Sequence, residues 1–155
     1  MLFPTHILLG IVLLLVVKDF FPGTNQIIAF VLVLLGSVLP DIDEGRSKIN
    51  HWSGILGIIV AFCSRHRGFF HSLLFHLIVF FTVNHFFGVY YASALLLGYF
   101  SHLIGDGITP MGVQVLYPFF KFKLGGPIIV GGIAEKVIMV TLAGFVIAKL
   151  FLLVL

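Results

Sequence analysis

The chain has 155 residues, 60% of them hydrophobic and 10% charged, with a mean hydropathy of +1.19. A soluble domain is about 45–50% apolar and about 25% charged, so a water-facing globular domain is excluded, as is a disordered chain, which needs the opposite balance. The net charge of +3, without any long basic run, gives no basis for nucleic-acid binding, and the single cysteine, Cys63, excludes an internal disulfide.

What remains is an all-α, polytopic membrane helix bundle, one domain over residues 1–155 with about five transmembrane helices. The first apolar run is Phe3–Val17, closed by Lys18-Asp19 and Pro22-Gly23. No charged segment precedes it, so it reads as a retained helix and not as a cleaved leader. The second run covers 26–39 and stops at Pro40. The run Ile55–Cys63 is too short to span, and the segment around 53–66 is expected to lie in the interface or to dip in and return. A third helix is expected over 72–87, broken by Gly88, a fourth over 89–105, and a last over 133–155. Four of the five fall short of the ~20 residues that a ~30 Å hydrocarbon core requires, so local thinning of the bilayer is expected around them.

Charge sets the expected orientation. Segment 41–71 carries Arg46, Lys48, Arg65 and Arg67, and segment 107–132 carries Lys121 and Lys123. The hairpin of helices three and four puts both segments on one side, which the positive-inside rule makes cytoplasmic. The N-terminus is then cytoplasmic and the C-terminus outside, in a multi-pass protein of the cell (inner) membrane. The eighteen phenylalanines read as lipid-facing and packing residues, and Gly36 and Gly98 as points of close helix approach. The glycines after 124 form no phosphate-binding loop, because no Lys-Ser/Thr follows them.

Polar groups are scarce, and their positions converge. Asp41, Asp43, Glu44, Asp106 and Glu135 all map to the cytoplasmic side, with His6, His51, His66, His71 and His102 at the same level. Ionisable groups bordering spans are costly and usually functional. His102 and Asp106 are i,i+4 and share a helix face. In Pro40-Asp41-Ile42-Asp43, an extended segment would point both carboxylates one way. The eight candidate metal ligands are His6, Asp41, Asp43, His66, His71, His102, Asp106 and Glu135. A zinc site takes about four N/O donors, so eight suit two or three divalent ions, zinc first and manganese second. His51, His76 and His85 read instead as interfacial or hydrogen-bonded residues. Each pair taken singly has an ordinary explanation, as a solvated loop or a helix cap; the argument rests on five chain segments meeting at one level.

The runs Pro40-Asp41-Ile42-Asp43, His66-Arg67-Gly68-Phe69-Phe70-His71-Ser72 and Gly98-Tyr99-Phe100-Ser101-His102-Leu103-Ile104-Gly105-Asp106 resemble the YdjM-like membrane-bound metal-dependent hydrolases. So does the continuation from Thr109-Pro110-Met111-Gly112 to Tyr117-Pro118-Phe119. Glu44 stands where the family often has His, and Phe70 where it often has Thr. The resemblance implies a hydrolase with a distant similarity to zinc-dependent phospholipases C, and it assigns no substrate. A metal-activated water would attack a phosphoester of a lipid or other amphiphilic phosphate at the cytoplasmic face. Asp43 and Glu135 are the candidates for general base, Arg67 and Arg65 for holding the phosphate, and Lys121 and Lys123 for attracting anionic headgroups. Membrane lipids are the expected partners. The rival of another class is an ion or solute transporter using the same His/Asp cluster, although only Thr82, Ser93 and Thr141 supply polarity deep in the spans. A metal-free phosphatase motif starting at Ser64-Arg65 and His71 fails, since Phe75 stands where it needs Asp.

Overall fold

The computed structural model describes residues 1–20, 25–64 and 67–154. Among the described residues there are seven α-helices: α1 Phe3–Val17, α2 Gln26–Gly36, α3 Lys48–Trp52, α4 Ile55–Cys63, α5 Leu73–Phe87, α6 Val89–Gly107 and α7 Ile133–Val154. Short 3-10 turns cover Lys18–Phe20, Leu39–Asp43 and Phe69–His71. The expected helices are present, close to their expected limits. Helix α3 was not anticipated; Ser47 caps it by accepting from the Asn50 amide. Arg65, His66 and the turn at Pro22-Gly23 lie outside the described residues.

The expectation of five spans meets a different result. Among the described residues no helix is long and apolar enough to cross a membrane. With a rise of ~1.5 Å per residue, α1 and α5 reach only about 22 Å and α2 about 17 Å. Helix α6 is interrupted by Ser93, Ser101, His102 and Asp106, and α7 by Glu135, Lys136 and Lys149.

Helix α6 is the hub, packed against α1, α2 and α5, with α7 laid along α1. The α2–α6 crossing is exceptionally close. A Cβ placed on Gly98 would lie 2.1 Å from the Val33 carbonyl oxygen, and one on Gly36 would lie 2.2 Å from that of Leu95. Only hydrogen fits at either position, as the two glycines suggested. Ala29, Val33 and Ala94 form a small apolar cluster beside this crossing. The largest fully buried side chains are otherwise polar: Tyr99, His6, His71, His76, His102 and Glu135. Large apolar side chains face outward instead, including Ile27, Phe62, Phe86, Phe119 and Ile133. The usual partition of a water-soluble protein is thus inverted.

Candidate metal centre

Each element delivers a donor for a local reason. Pro40 sits in the first turn of the 3-10 segment Leu39–Asp43, just beyond α2. This segment is not extended, so Asp41 and Asp43 diverge and take opposite edges of one imidazole. Asp41 Oδ1 lies 3.7 Å from His71 Nε2, while Asp43 Oδ2 lies 3.3 Å from His71 Nδ1. His71 ends its own 3-10 turn, and Ser72 then caps α5 by accepting from the Phe75 amide. His102 and Asp106 stand one turn apart on the last two turns of α6. His102 is also one turn beyond Gly98, on the face pressed against α2. There its Nδ1 donates to the Ser37 carbonyl at 2.8 Å. A carbonyl only accepts, so Nδ1 carries the proton and Nε2 presents its lone pair.

Asp41, His71, His102 and Asp106 each offer one atom to a group in which all four lie within 4.8 Å of one another. His71 Nε2 and His102 Nε2 are 3.2 Å apart. Asp41 Oδ1 lies 3.7 and 3.6 Å from them, and Asp106 Oδ2 lies 3.7 Å from both. Bonds of ~2.05 Å to a tetrahedral zinc ion put neighbouring ligand atoms ~3.4 Å apart. The five separations bracket that edge length. His71 repeats the logic of His102: Asp43 holds its Nδ1 side, which turns Nε2 toward the centre. The donor set is therefore two imidazoles and two carboxylates, each imidazole oriented from behind, and it fits a divalent ion. His71, His102 and Asp106 are buried, and Asp41, at 20% exposure, forms the open edge.

Electrostatics support the same placement. Burial works against ionised Asp41, yet the imidazoles of His102, His71 and His6 outweigh it and hold this carboxyl well below the usual range. Burial likewise works against a charged His71, and hydrogen bonds to Asp41 and Asp43 with the charge of Asp106 raise it to about 9.

The remaining candidates fall around this group. His6 stacks on His102, with ring centroids 3.9 Å apart and planes 10° from parallel, and its Nε2 is 3.4 Å from Asp106 Oδ1. Gly105 leaves room for that ring, since a Cβ there would be 3.0 Å from it. Glu135 is outside the four-donor group: it accepts from the amides of Leu2 and Gly131, both at 2.6 Å, and so ties α7 to the start of α1. Arg67, expected to hold phosphate, is instead committed to the protein. It donates to Thr109 Oγ1 at 3.0 Å and the Gly112 carbonyl at 3.1 Å, and pairs with Asp106 Oδ2 at 2.9 Å. Its φ of 60° is a left-handed conformation that a non-glycine residue adopts only under constraint. The α-ammonium of Met1 contacts Asp106 Oδ1. His66 and Arg65 lie outside the described residues. Nothing in the spacing of the sequence signalled the Arg67–Asp106 pair; the Ser37 carbonyl was signalled indirectly, through Gly36 and Gly98. His76 is hydrogen-bonded, one of the two expectations for it, and is fully buried: its Nδ1 is on the Ser72 carbonyl at 2.6 Å and its ring 3.9 Å from that of Tyr99.

Comparison with known proteins places the chain in a family. The family described as YdjM inner membrane protein matches residues 1–155, the whole chain. The chain belongs to the YdjM family. It is 32% identical over 149 residues to the uncharacterized protein YvsG of Bacillus subtilis (strain 168), covering 95% of this chain and 91% of that one. It is 36% identical over 104 residues to the inner membrane protein YdjM of Escherichia coli (strain K12) and to that of Shigella flexneri, covering 63% of this chain and 52% of each relative. No solved structure matches this YdjM-family chain.

Proposed function

We propose that this YdjM-family chain is a multi-pass inner-membrane hydrolase that uses a divalent metal ion to cleave a phosphoester of a lipid or other amphiphilic phosphate at the cytoplasmic face. The observation that carries the reading is the clustering of Asp41, His71, His102 and Asp106, whose donor atoms all lie within 4.8 Å of one another. Zinc is the first choice of ion and manganese the second.

The membrane part of the reading is supported by the inverted partition and by the names of the Escherichia coli and Shigella flexneri relatives. Soluble monomers rarely expose apolar patches beyond a few hundred Å². Here apolar side chains cover the outside of α2, α4, α5 and α7. Bilayer thinning around short helices accommodates α1, α2 and α5.

A bound ion would supply water of pKa about 7, and hence hydroxide at neutral pH. The protein's own part follows from its geometry. A cavity of about 250 Å³ opens beside Asp41, lined also by Glu44, Arg46, Lys48 and Arg67. Arg46 and Lys48 hold a phosphate oxygen there, leaving Arg67 to orient Asp106. Glu44 is the carboxylate lining the cavity outside the four-donor group, and it takes the proton of the attacking water. Asp43 and Glu135, the sequence's candidates for that role, do not line this cavity: Asp43 faces His71 and Glu135 holds the Leu2 and Gly131 amides.

The test is elemental analysis and hydrolysis by detergent-purified protein. Wild type is expected to carry zinc or manganese and to release phosphate or alcohol from a short-chain phosphoester lipid. His102→Ala and Asp41→Ala are expected to lower metal content. Unchanged metal in both variants refutes the centre; metal present with no hydrolysis, but with metal-dependent uptake in proteoliposomes, replaces hydrolysis with transport.

A further inference from the structure

The four-donor group uses only one oxygen of Asp106. His102 Nε2 and His71 Nε2 face Oδ2, whereas His6 Nε2 faces Oδ1 at 3.4 Å. His6 is 1% exposed, and neither of its ring nitrogens makes a hydrogen bond. Its Nε2 has Asp106 as an ion-pair partner at 3.4 Å, but a buried imidazole that makes no hydrogen bond of ordinary length calls for an explanation. Its ring also lies parallel to that of His102 with centroids 3.9 Å apart, so two stacked imidazoles direct their Nε2 atoms at the two oxygens of a single carboxylate.

We infer that Asp106 is a bridging carboxylate and that His6 Nε2 with Asp106 Oδ1 forms a second divalent-cation position beside the first. The inference rests on the metal reading above and extends it. Paired metal ions that act together on a phosphoester lie about 3.5–4 Å apart, and the ring separation matches this spacing. Oδ1 already faces positive charge, since the Met1 α-ammonium contacts it; an ion entering there takes that group's place. With two protein donors against four, the second ion binds more weakly and keeps coordination positions open for water or a substrate oxygen, as catalytic ions do. Glu135 contributes by holding the Leu2 amide, which fixes the start of α1 four residues before His6. Gly105 contributes by leaving space for the ring.

Full-length protein in detergent, stripped with a chelator, is titrated with zinc against a chromogenic competitor and with manganese by electron paramagnetic resonance. The expected result is two ions per chain, one tight and one weaker, with exchange coupling between the manganese ions. His6→Ala and His6→Gln are expected to keep the tight ion, lose the weaker one and abolish the coupling. One ion in wild type, or two in both His6 variants, overturns the second position while leaving the first intact. No ion at all in wild type overturns the metal reading itself.

Discussion

Replacing Gly98 by alanine tests the link between the helix crossing and the donor geometry. The new Cβ would sit 2.1 Å from the Val33 carbonyl oxygen and 2.8 Å from the Ser37 amide nitrogen. Non-bonded carbon contacts settle at about 3.5 Å or more, so α2 and α6 must part by roughly 1 Å or more. The 2.8 Å bond from His102 Nδ1 to Ser37 spans the same crossing and would stretch beyond hydrogen-bonding range. Overpacking costs about 1–3 kcal/mol, against a gain of up to ~1 kcal/mol from putting alanine into a helix. The net expectation is a loss of about 1–2 kcal/mol. Loss of the bond behind a metal-ligating imidazole typically costs 10–100-fold in metal affinity. Gly144→Ala is the matched control: nothing lies within 4 Å of its Cβ in α7, so only the propensity gain applies. Chelator competition and thermal unfolding in detergent read both variants. If Gly98→Ala binds metal and unfolds like wild type, or if Gly144→Ala loses as much as Gly98→Ala, the coupling of crossing to site is refuted.

Four further outcomes are expected. Because His71 is raised from 6.5 to about 9, it must shed a proton to bind a metal at neutral pH; affinity should climb up to tenfold per pH unit between 7 and 9 and level off above, as read by calorimetry in buffers of different ionisation enthalpy. Without added metal, the same shift stabilises the fold fully below about 6.5 and is lost as pH rises through about 9, whereas the lowered Asp41 carboxyl stabilises above about 3.8 and fails on acidification; thermal melts across pH should fall on both flanks. Asp43→Asn should weaken metal binding 10–100-fold without removing a donor, while Asp41→Asn, which removes one, should weaken it more; equal affinities in the two variants would show that Asp43 is itself a ligand. Arg67→Lys keeps the charge but loses the forked contact to Asp106, Thr109 and Gly112, and should lower metal affinity at unchanged helix content by circular dichroism.

Much of the scaffold was legible because apolar runs bounded by Pro40, Gly88 and charged pairs mark helix limits directly. The short α3 escaped notice, since its helix depends on a single Ser47 cap within a polar loop. At the site, the i,i+4 spacing of His102 and Asp106 announced a shared face, and scarcity of charge announced convergence. What could not be read was the direction of each side chain. The stretch after Pro40 has the residues of either a strand or a tight helix, and the 3-10 turn decides which edge of His71 each aspartate takes. Arg67 gave no hint of its partner, because a contact with Asp106 across 39 positions of sequence is created only by tertiary packing.

The largest groups sealed inside this protein are ones that can gain or lose protons or bind cations. An interior of leucine holds the same energy whatever the medium supplies, whereas this one would answer to ion supply once the four-donor group binds a metal. If the four-donor group is loaded at a thousand times its Kd, the folded state gains about 4 kcal/mol over the unloaded chain, a large share of the 5–15 kcal/mol by which domains are ordinarily stable. The abundance of the intact protein would then follow the cell's store of free divalent metal, even with synthesis held constant.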